Sequence, residues 1–172
     1  MERRKLTKQD IDKVRNIEGF PNGTDEDIIA LSDAPYYTAC PNPFIEEFVG
    51  ENGVPYDENS DDYHCEPFTS DVSEGKNDPI YMAHSYHTKV PHKAIAKYLE
   101  HYTKPHDIVF DGFCGTGMLG VAARSLGERS IYSGGDPDNS RFAIISDLAP
   151  VATFLASQYN LSIEPQAFFD EA

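Results

Sequence analysis

The residues best placed to do chemistry lie in one stretch, where Asp111 is followed at short intervals by Gly115, Gly117 and Gly120. The apolar run 108–110 before the acid predicts a buried strand, and the Ala- and Leu-rich residues after the glycines predict a helix. In open α/β sheets, a strand, a glycine turn and a helix N-terminus hold nucleotide-like ligands at the carboxyl ends of the strands. The glycines let such a ligand approach backbone N–H groups. The stretch therefore predicts a ligand site.

The charge of Asp111 selects among the ligands that such a turn can hold. Gly115, Gly117 and Gly120 have the G-x-G-x-x-G spacing of dinucleotide sites, which alone is a weak signal. An acid at the strand tip would repel a pyrophosphate but attract S-adenosylmethionine (SAM), which carries an ammonium and a sulfonium. SAM is therefore the favoured cofactor. An NAD(P)-binding oxidoreductase fragment, in which Asp111 is incidental, is the alternative.

The segment Asp111-Gly112-Phe113-Cys114-Gly115-Thr116-Gly117 resembles the D-x-F-x-G-x-G motif of DNA amino-methyltransferases. These enzymes methylate adenine N6 or cytosine N4. The aromatic residue between the acid and the glycines makes the motif more specific than the glycines alone. The resemblance implies cofactor contacts from Asp111, Phe113, Cys114, Gly115, Thr116 and Gly117. The competing interpretation is an ordinary glycine turn that binds no ligand.

A second part of the same resemblance lies one predicted helix before the strand. His87-Thr88-Lys89-Val90-Pro91 is similar to the His-x-Thr-x-Lys-like motif that these enzymes carry near the methionine end of SAM. The threonine and the lysine are adjacent here rather than separated. The resemblance implies that Thr88 and Lys89 contact the cofactor. A metal site at His84 and His87 is disfavoured, because no carboxylate or cysteine stands at a supporting spacing.

A second acid closes the next predicted strand, which covers residues 142–146. In nucleotide-binding α/β folds the acid at this position bonds the ribose hydroxyls. Asp147 and the adjacent Leu148 are therefore predicted cofactor contacts. Asp136 is closer to the usual spacing from the first strand, but it follows a glycine pair rather than a strand. Asp147 is preferred for that reason.

The 172 residues suffice for one domain with a sizeable core. The predicted fold class is α/β, with an incomplete Rossmann-like sheet of the class I SAM-dependent methyltransferase type in residues 81–172. An acidic extension, helical or irregular, precedes it in residues 1–80. No apolar run reaches the length of a membrane span. Three widely spaced cysteines without a C-x-x-C pair predict a reduced, cytoplasmic protein.

Within the extension, Thr7 and Thr24 predict helix starts, and residues 43–49 predict a third helix that Gly50 closes. Residues 53–80 are polar and acidic, with few aliphatic side chains. They predict either a solvated linker or a segment held in place by its larger apolar side chains. The candidates for that contact are Tyr56, Tyr63, Phe68, Ile80 and Tyr81.

Further helices are predicted downstream of residue 90. One begins at Pro91, one follows the glycine turn and is capped by Gly127, and one begins near residue 150 and ends at Asn160. A polar loop is predicted over residues 128–141. Only two strands are clear, so the sheet would keep an unpaired edge, which predicts marginal stability or self-association.

The net charge of −15 also constrains the function. Residues 16–80 hold sixteen acidic residues and one basic residue, and such a chain is a poor DNA binder by itself. The family's catalytic tetrapeptide is Asp/Asn/Ser-Pro-Pro-aromatic, and this chain has no Pro-Pro pair. The resemblance therefore implies the SAM-binding part of a DNA methyltransferase, with adenine N6 favoured over cytosine N4. It would contact DNA through a missing part and transfer no methyl group alone. A non-catalytic interaction module that uses the acidic block 16–80 is a further alternative.

Overall fold

The computed structural model describes residues 4–32, 37, 39–132, 138–161, 166 and 169, and for residues 128–132 it describes the backbone only. The first three helices are α1 (Lys8–Val14), α2 (Asp25–Leu31) and α3 (Ile45–Asn52). Thr7 and Thr24 cap the first two, as predicted. The predicted end of the third helix at Gly50 is wrong, because a glycine inside a helix costs only about 1 kcal/mol. The buried core of this region consists of Leu6, Ile11, Ile28, Tyr37 and Cys40.

Helix α5 (His92–Tyr102) connects the amino-terminal half to the sheet. It begins one residue after Pro91, which is its N-cap. Its inner face packs Ala96 and Leu99 against the helix that follows the glycine turn. This packing places the segment before α5 close to the glycine turn.

The outer face of α5 contacts residues 63–78, which we call the acidic strap. The N–H group of Phe68 donates to the hydroxyl of Tyr102 at 2.7 Å, and the N–H group of Ser70 donates to the hydroxyl of Tyr98 at 3.1 Å. The Phe68 ring also stacks on the ring of His101. The strap is therefore held against another surface, partly by a side chain that the sequence singled out. A short helix that was not predicted, α4 (Pro79–Met82), follows it.

Two parallel strands, β1 (Ile108–Asp111) and β2 (Phe142–Ile145), form the sheet of the described residues, with Asp111 opposite Ile145. Helix α6 (Met118–Tyr132) connects them. The combination of helices with a small parallel sheet is compatible with the predicted α/β methyltransferase-like fold. The second strand ends one residue earlier than predicted.

The predicted cap of α6 at Gly127 is wrong, since the helix continues to Tyr132 and so occupies the start of the predicted loop. The last helix, α7 (Pro150–Asn160), ends where it was predicted to end. Asp136, the competing ribose ligand, lies outside the described residues. Among the helices of the described part of the chain, none is long and apolar enough to cross a membrane.

Candidate functional site at the glycine turn

The carboxyl ends of the two strands are joined by backbone hydrogen bonds. The N–H group of Ser146 donates to the carbonyl of Asp111, and the N–H group of Cys114 donates to the carbonyl of Ser146, both at 2.9 Å. The glycine turn therefore starts from a fixed position at the sheet edge. Both acids that the sequence singled out, Asp111 and Asp147, lie at this edge.

The N–H groups of the turn donate mostly within the protein. Phe113 donates to the carboxylate of Asp111 at 3.1 Å, and Gly115 donates to the carboxylate of Asp147 at 2.9 Å. Gly117 donates to the carbonyl of Cys114 at 2.8 Å. A dinucleotide site of the predicted alternative type needs such groups for its pyrophosphate. In a phosphate-binding turn these N–H groups are free to donate to the ligand, whereas here two of them donate to the chain's own carboxylates.

Two of the three motif glycines have left-handed backbone conformations, with φ of +52° at Gly115 and +75° at Gly117. Side chains other than glycine are strained there. Gly120 is required for another reason. A Cβ atom at Gly120 would lie 2.8 Å from Cγ of Asn160, so this glycine permits close packing of α6 against α7. The G-x-G-x-x-G spacing therefore arises from turn geometry and helix packing.

A cleft of about 220 Å³ opens in front of the turn. Seven of the predicted cofactor residues line it, namely Thr88, Lys89, Asp111, Phe113, Cys114, Gly115 and Thr116. The sequence interpretation missed the other lining residues, which are Tyr86, Val90, Ile95, Met118 and Leu119. A Cβ atom at Gly115 would lie 3.0 Å from the Tyr86 ring, so the tyrosine packs directly on the turn. The sequence signal that could have identified Tyr86 was its position two residues before Thr88.

Thr116 is a polar residue of the cleft wall with an unsatisfied hydroxyl group. Its side chain is 1% exposed, and its hydroxyl has no hydrogen-bond partner within the described part of the chain. A buried hydroxyl without a partner costs about 1–3 kcal/mol. Neighbouring Cys114 is buried beside Asp111 and Asp147, which raises the pKa of its thiol to about 11. Cys114 is therefore a neutral wall residue at neutral pH.

Lys89 lines the cleft, but its ammonium group is engaged elsewhere. Its Nζ donates to the carbonyls of Tyr81 and His84 and lies 4.5 Å from the centre of the Tyr81 ring. Burial lowers the pKa of this lysine. In the structure, Lys89 thus fixes the segment that carries Tyr86 and Thr88.

Three predicted cofactor residues do not line the cleft. Gly117 faces α7, and Leu148 is 92% exposed. Each carboxylate oxygen of Asp147 accepts one backbone N–H group, from Gly115 and from Ala149, both at 2.9 Å. Asp147 therefore connects the glycine turn to the start of α7. Within the described residues, no group of three or more His, Cys, Asp or Glu side chains could hold a metal ion.

Comparison with known families assigns the chain to a protein family. A family model described as DNA methylase matches residues 8–145, most of the chain. The protein therefore belongs to the DNA methylase family, which confirms the resemblance drawn from the motifs. The match starts in α1 and so includes the amino-terminal helices. No curated protein and no solved structure matches the chain.

Proposed function

We propose that the cleft binds SAM and that the chain serves methylation of DNA at adenine N6. One observation carries the SAM assignment: an acid lines the cleft while the N–H groups of Phe113, Gly115 and Gly117 donate within the protein. A ligand with ammonium and sulfonium groups is attracted by Asp111 and needs fewer of these donors than a pyrophosphate does. The NAD(P) alternative requires the reverse arrangement.

The wall residues suit the other parts of SAM. The hydroxyl of Thr116 gains a partner when a polar group of the ligand reaches it. Tyr86 and Phe113 supply aromatic surface, and Phe113 is 83% exposed. Asp147 already accepts two N–H groups, but each carboxylate oxygen has a further lone pair that a ribose hydroxyl can use. Thr88 lines the same cleft and is the proposed contact to the methionine end.

Lys89, Gly117 and Leu148 have different roles in this proposal. Lys89 lines the cleft but holds the segment before α5, and Gly117 lies behind the wall, where it faces α7 at the start of α6. Leu148 is too exposed to form the wall by itself and would contact a cofactor only at its edge.

The methyl-transfer step needs an amine held in line with the SAM methyl group. The family's tetrapeptide accepts the amine hydrogens and stacks on the base, which is flipped out of the duplex. The chain has no Pro-Pro pair, but Asp33-Ala34-Pro35-Tyr36 carries the acid, the second proline and the aromatic residue of that pattern. These residues lie within the matched range 8–145 and outside the described residues. We assign the catalytic contacts to them, with Ala34 in place of the first proline.

DNA contact is expected to depend on surfaces beyond the described ones. Many described cations are paired with the chain's own acids, as in Arg15–Asp25 at 2.7 Å and Lys93–Asp78 at 2.8 Å. Affinity for duplex DNA comes mainly from neutralised phosphates. The chain is therefore proposed to bind DNA weakly by itself and more tightly through a further segment or a complementing chain.

Ligand titration tests the cofactor assignment. Thermal unfolding of the chain is followed with SAM, S-adenosylhomocysteine or NAD at equal concentrations. We expect the first two to raise the Tm and NAD to leave it unchanged. A shift with NAD alone would replace the proposal by the dinucleotide alternative.

A tritiated-methyl assay on unmethylated DNA tests the catalytic assignment. We expect no detectable transfer by the chain itself, because the tetrapeptide has alanine in place of its first proline. Ala34→Pro should give transfer to adenine N6, and adding Asp33→Ala should abolish it. An inactive Ala34→Pro variant would place the catalytic contacts outside these 172 residues.

A further inference from the structure

Asn160, the last residue of α7, lies against the start of α6. Its side-chain amide donates to the carbonyl of Gly117 at 3.0 Å and to the carbonyl of Ala156 at 2.9 Å. The first bond spans 43 residues of sequence and ends on the glycine turn. The second ends on a carbonyl of its own helix, so the Asn160 amide connects α7 to the glycine turn.

The carbonyl of Gly117 occupies a critical position. It also accepts the N–H group of Val121, the first hydrogen bond of α6, at 3.3 Å. The peptide unit is planar, so fixing this carbonyl also fixes the direction of the N–H group of Met118. Met118 is the first residue of α6, and it lines the cleft with Thr116. The amide of Asn160 thus orients the part of the turn that a ligand meets.

The surrounding atoms leave little freedom to this arrangement. A Cβ atom at Gly117 would lie 2.8 Å from the amide nitrogen of Asn160 and 2.8 Å from Cβ of Ala156. A Cβ atom at Gly120 would approach the Asn160 side chain even more closely. Both glycines therefore accommodate the same amide group. The hydrogen bond to Gly117 and the missing side chains at Gly117 and Gly120 all involve Asn160, which lies outside the cleft.

We infer that Asn160 is a positioning residue for cofactor binding, acting through the Gly117 carbonyl; the inference rests on the proposed SAM site. It extends the site to a residue that the motifs do not include. It also gives Gly120 a role that depends on Asn160 rather than on a phosphate.

The inference is tested by calorimetric titration of the chain with S-adenosylhomocysteine, together with the Tm of each variant. Asn160→Asp keeps the shape of the side chain and removes its N–H donors. Asn160→Ala removes the side-chain amide altogether. Each should weaken binding about fivefold, the effect of one lost hydrogen bond. Ala152→Gly is the matched control, because Ala152 is buried on the same helix and its loss of a methyl group leaves the turn untouched. It should lower the Tm without changing the affinity.

Gly120→Ala supplies the second arm. In the native chain the new methyl group displaces Asn160, so binding should fall at least as much as in Asn160→Ala. In the double variant Gly120→Ala/Asn160→Ala the clash is absent, and the affinity should equal that of Asn160→Ala. Multiplicative losses in the double variant, unchanged binding in both Asn160 variants, or an equal loss in Ala152→Gly would overturn the inference. If the native chain binds no S-adenosylhomocysteine, the proposed function fails, and the inference fails with it.

Discussion

Two buried polar side chains, Asp10 among the amino-terminal helices and Thr116 in the glycine turn, have opposite surroundings. Asp10 is 2% exposed and accepts the N–H and hydroxyl groups of Thr7 at 3.1 and 2.7 Å. Arg4 and Lys13 flank it at 3.3 and 3.4 Å. Thr116 is equally buried, yet its hydroxyl has no partner in the described part of the chain. The first arrangement stabilises the fold, whereas the second leaves a buried hydroxyl group unsatisfied.

Exposed apolar side chains show the same contrast. Large apolar residues stand in solvent around the sheet edge, including Phe110 at 71% and Phe113 at 83% exposure. In the amino-terminal core, Phe44 packs on Tyr37, and the guanidinium of Arg4 covers the Phe44 ring at 4.3 Å. Phe44 is thus covered within the amino-terminal region, whereas the two phenylalanines at the sheet edge present surface suited to a ligand or a further chain segment.

The largest expected effect is on the stability of the amino-terminal region. Asp10→Ala removes the capping box of α1 and should lower the free energy of unfolding by about 2 kcal/mol. Burial alone would raise the pKa of Asp10, but the bonds from Thr7 and Lys13 outweigh it and lower the pKa. The stabilisation is therefore present at neutral pH and is lost as the pH falls below about 4. Urea unfolding at neutral and acid pH measures both, and an unchanged difference between the two proteins at acid pH would contradict this account.

Ligand binding by the same variant tests whether the amino-terminal helices and the cleft act independently. Once folded, Asp10→Ala should bind S-adenosylhomocysteine as the native chain does, because Asp10 lies among the amino-terminal helices and does not line the cleft. A large loss of affinity in the folded variant would mean that the two regions are coupled.

Asp111→Asn should affect binding and leave the fold intact. The amide has the same shape as the carboxylate and still accepts the N–H group of Phe113, so the lost contribution is the charge at the strand tip. We expect roughly tenfold weaker SAM binding, about 1.4 kcal/mol, with an unchanged Tm. Calorimetry measures this, and an affinity equal to the native value would refute the charge argument for SAM.

The smallest expected effects belong to Thr116→Val, which exchanges the buried hydroxyl for a methyl group. Removing an unsatisfied polar group should raise the free energy of unfolding by up to about 1 kcal/mol. The affinity for S-adenosylhomocysteine should fall by a few fold, since the ligand loses a hydrogen-bond partner. A less stable variant would show that the hydroxyl already has a partner in the native chain. Tighter binding by the variant would show that the ligand does not use the hydroxyl.

The sequence predicted the parts of the fold that local signals determine. Thr7 and Thr24 start helices because their side chains cap nearby N–H groups, and the apolar runs before Asp111 and Asp147 form the paired strands. Most of the predicted cofactor residues share one cleft, since strand ends of a parallel sheet meet at one edge.

Long-range packing could not be predicted in this way. The bond from Asn160 to Gly117 spans 43 residues, and the hydroxyl of Tyr98 reaches the acidic strap across 28 residues. Lys89 fitted a cofactor motif, but its ammonium group lies between backbone carbonyls that only the folded chain brings together. The helix ends at Gly50 and Gly127 were mispredicted because packing and continued helical bonds outweigh the small cost of a helical glycine.

We expect acids at the ends of both strands to organise a SAM site at the glycine turn. Calorimetric titration of S-adenosylhomocysteine into the native chain and into Asp147→Ala tests it most directly. We expect measurable binding by the native chain and a loss of roughly 1–3 kcal/mol in the variant, because the Gly115 N–H group and the ligand both lose an acceptor. No binding by the native chain, or an unchanged affinity in Asp147→Ala with a loss in Asp136→Ala instead, would contradict it.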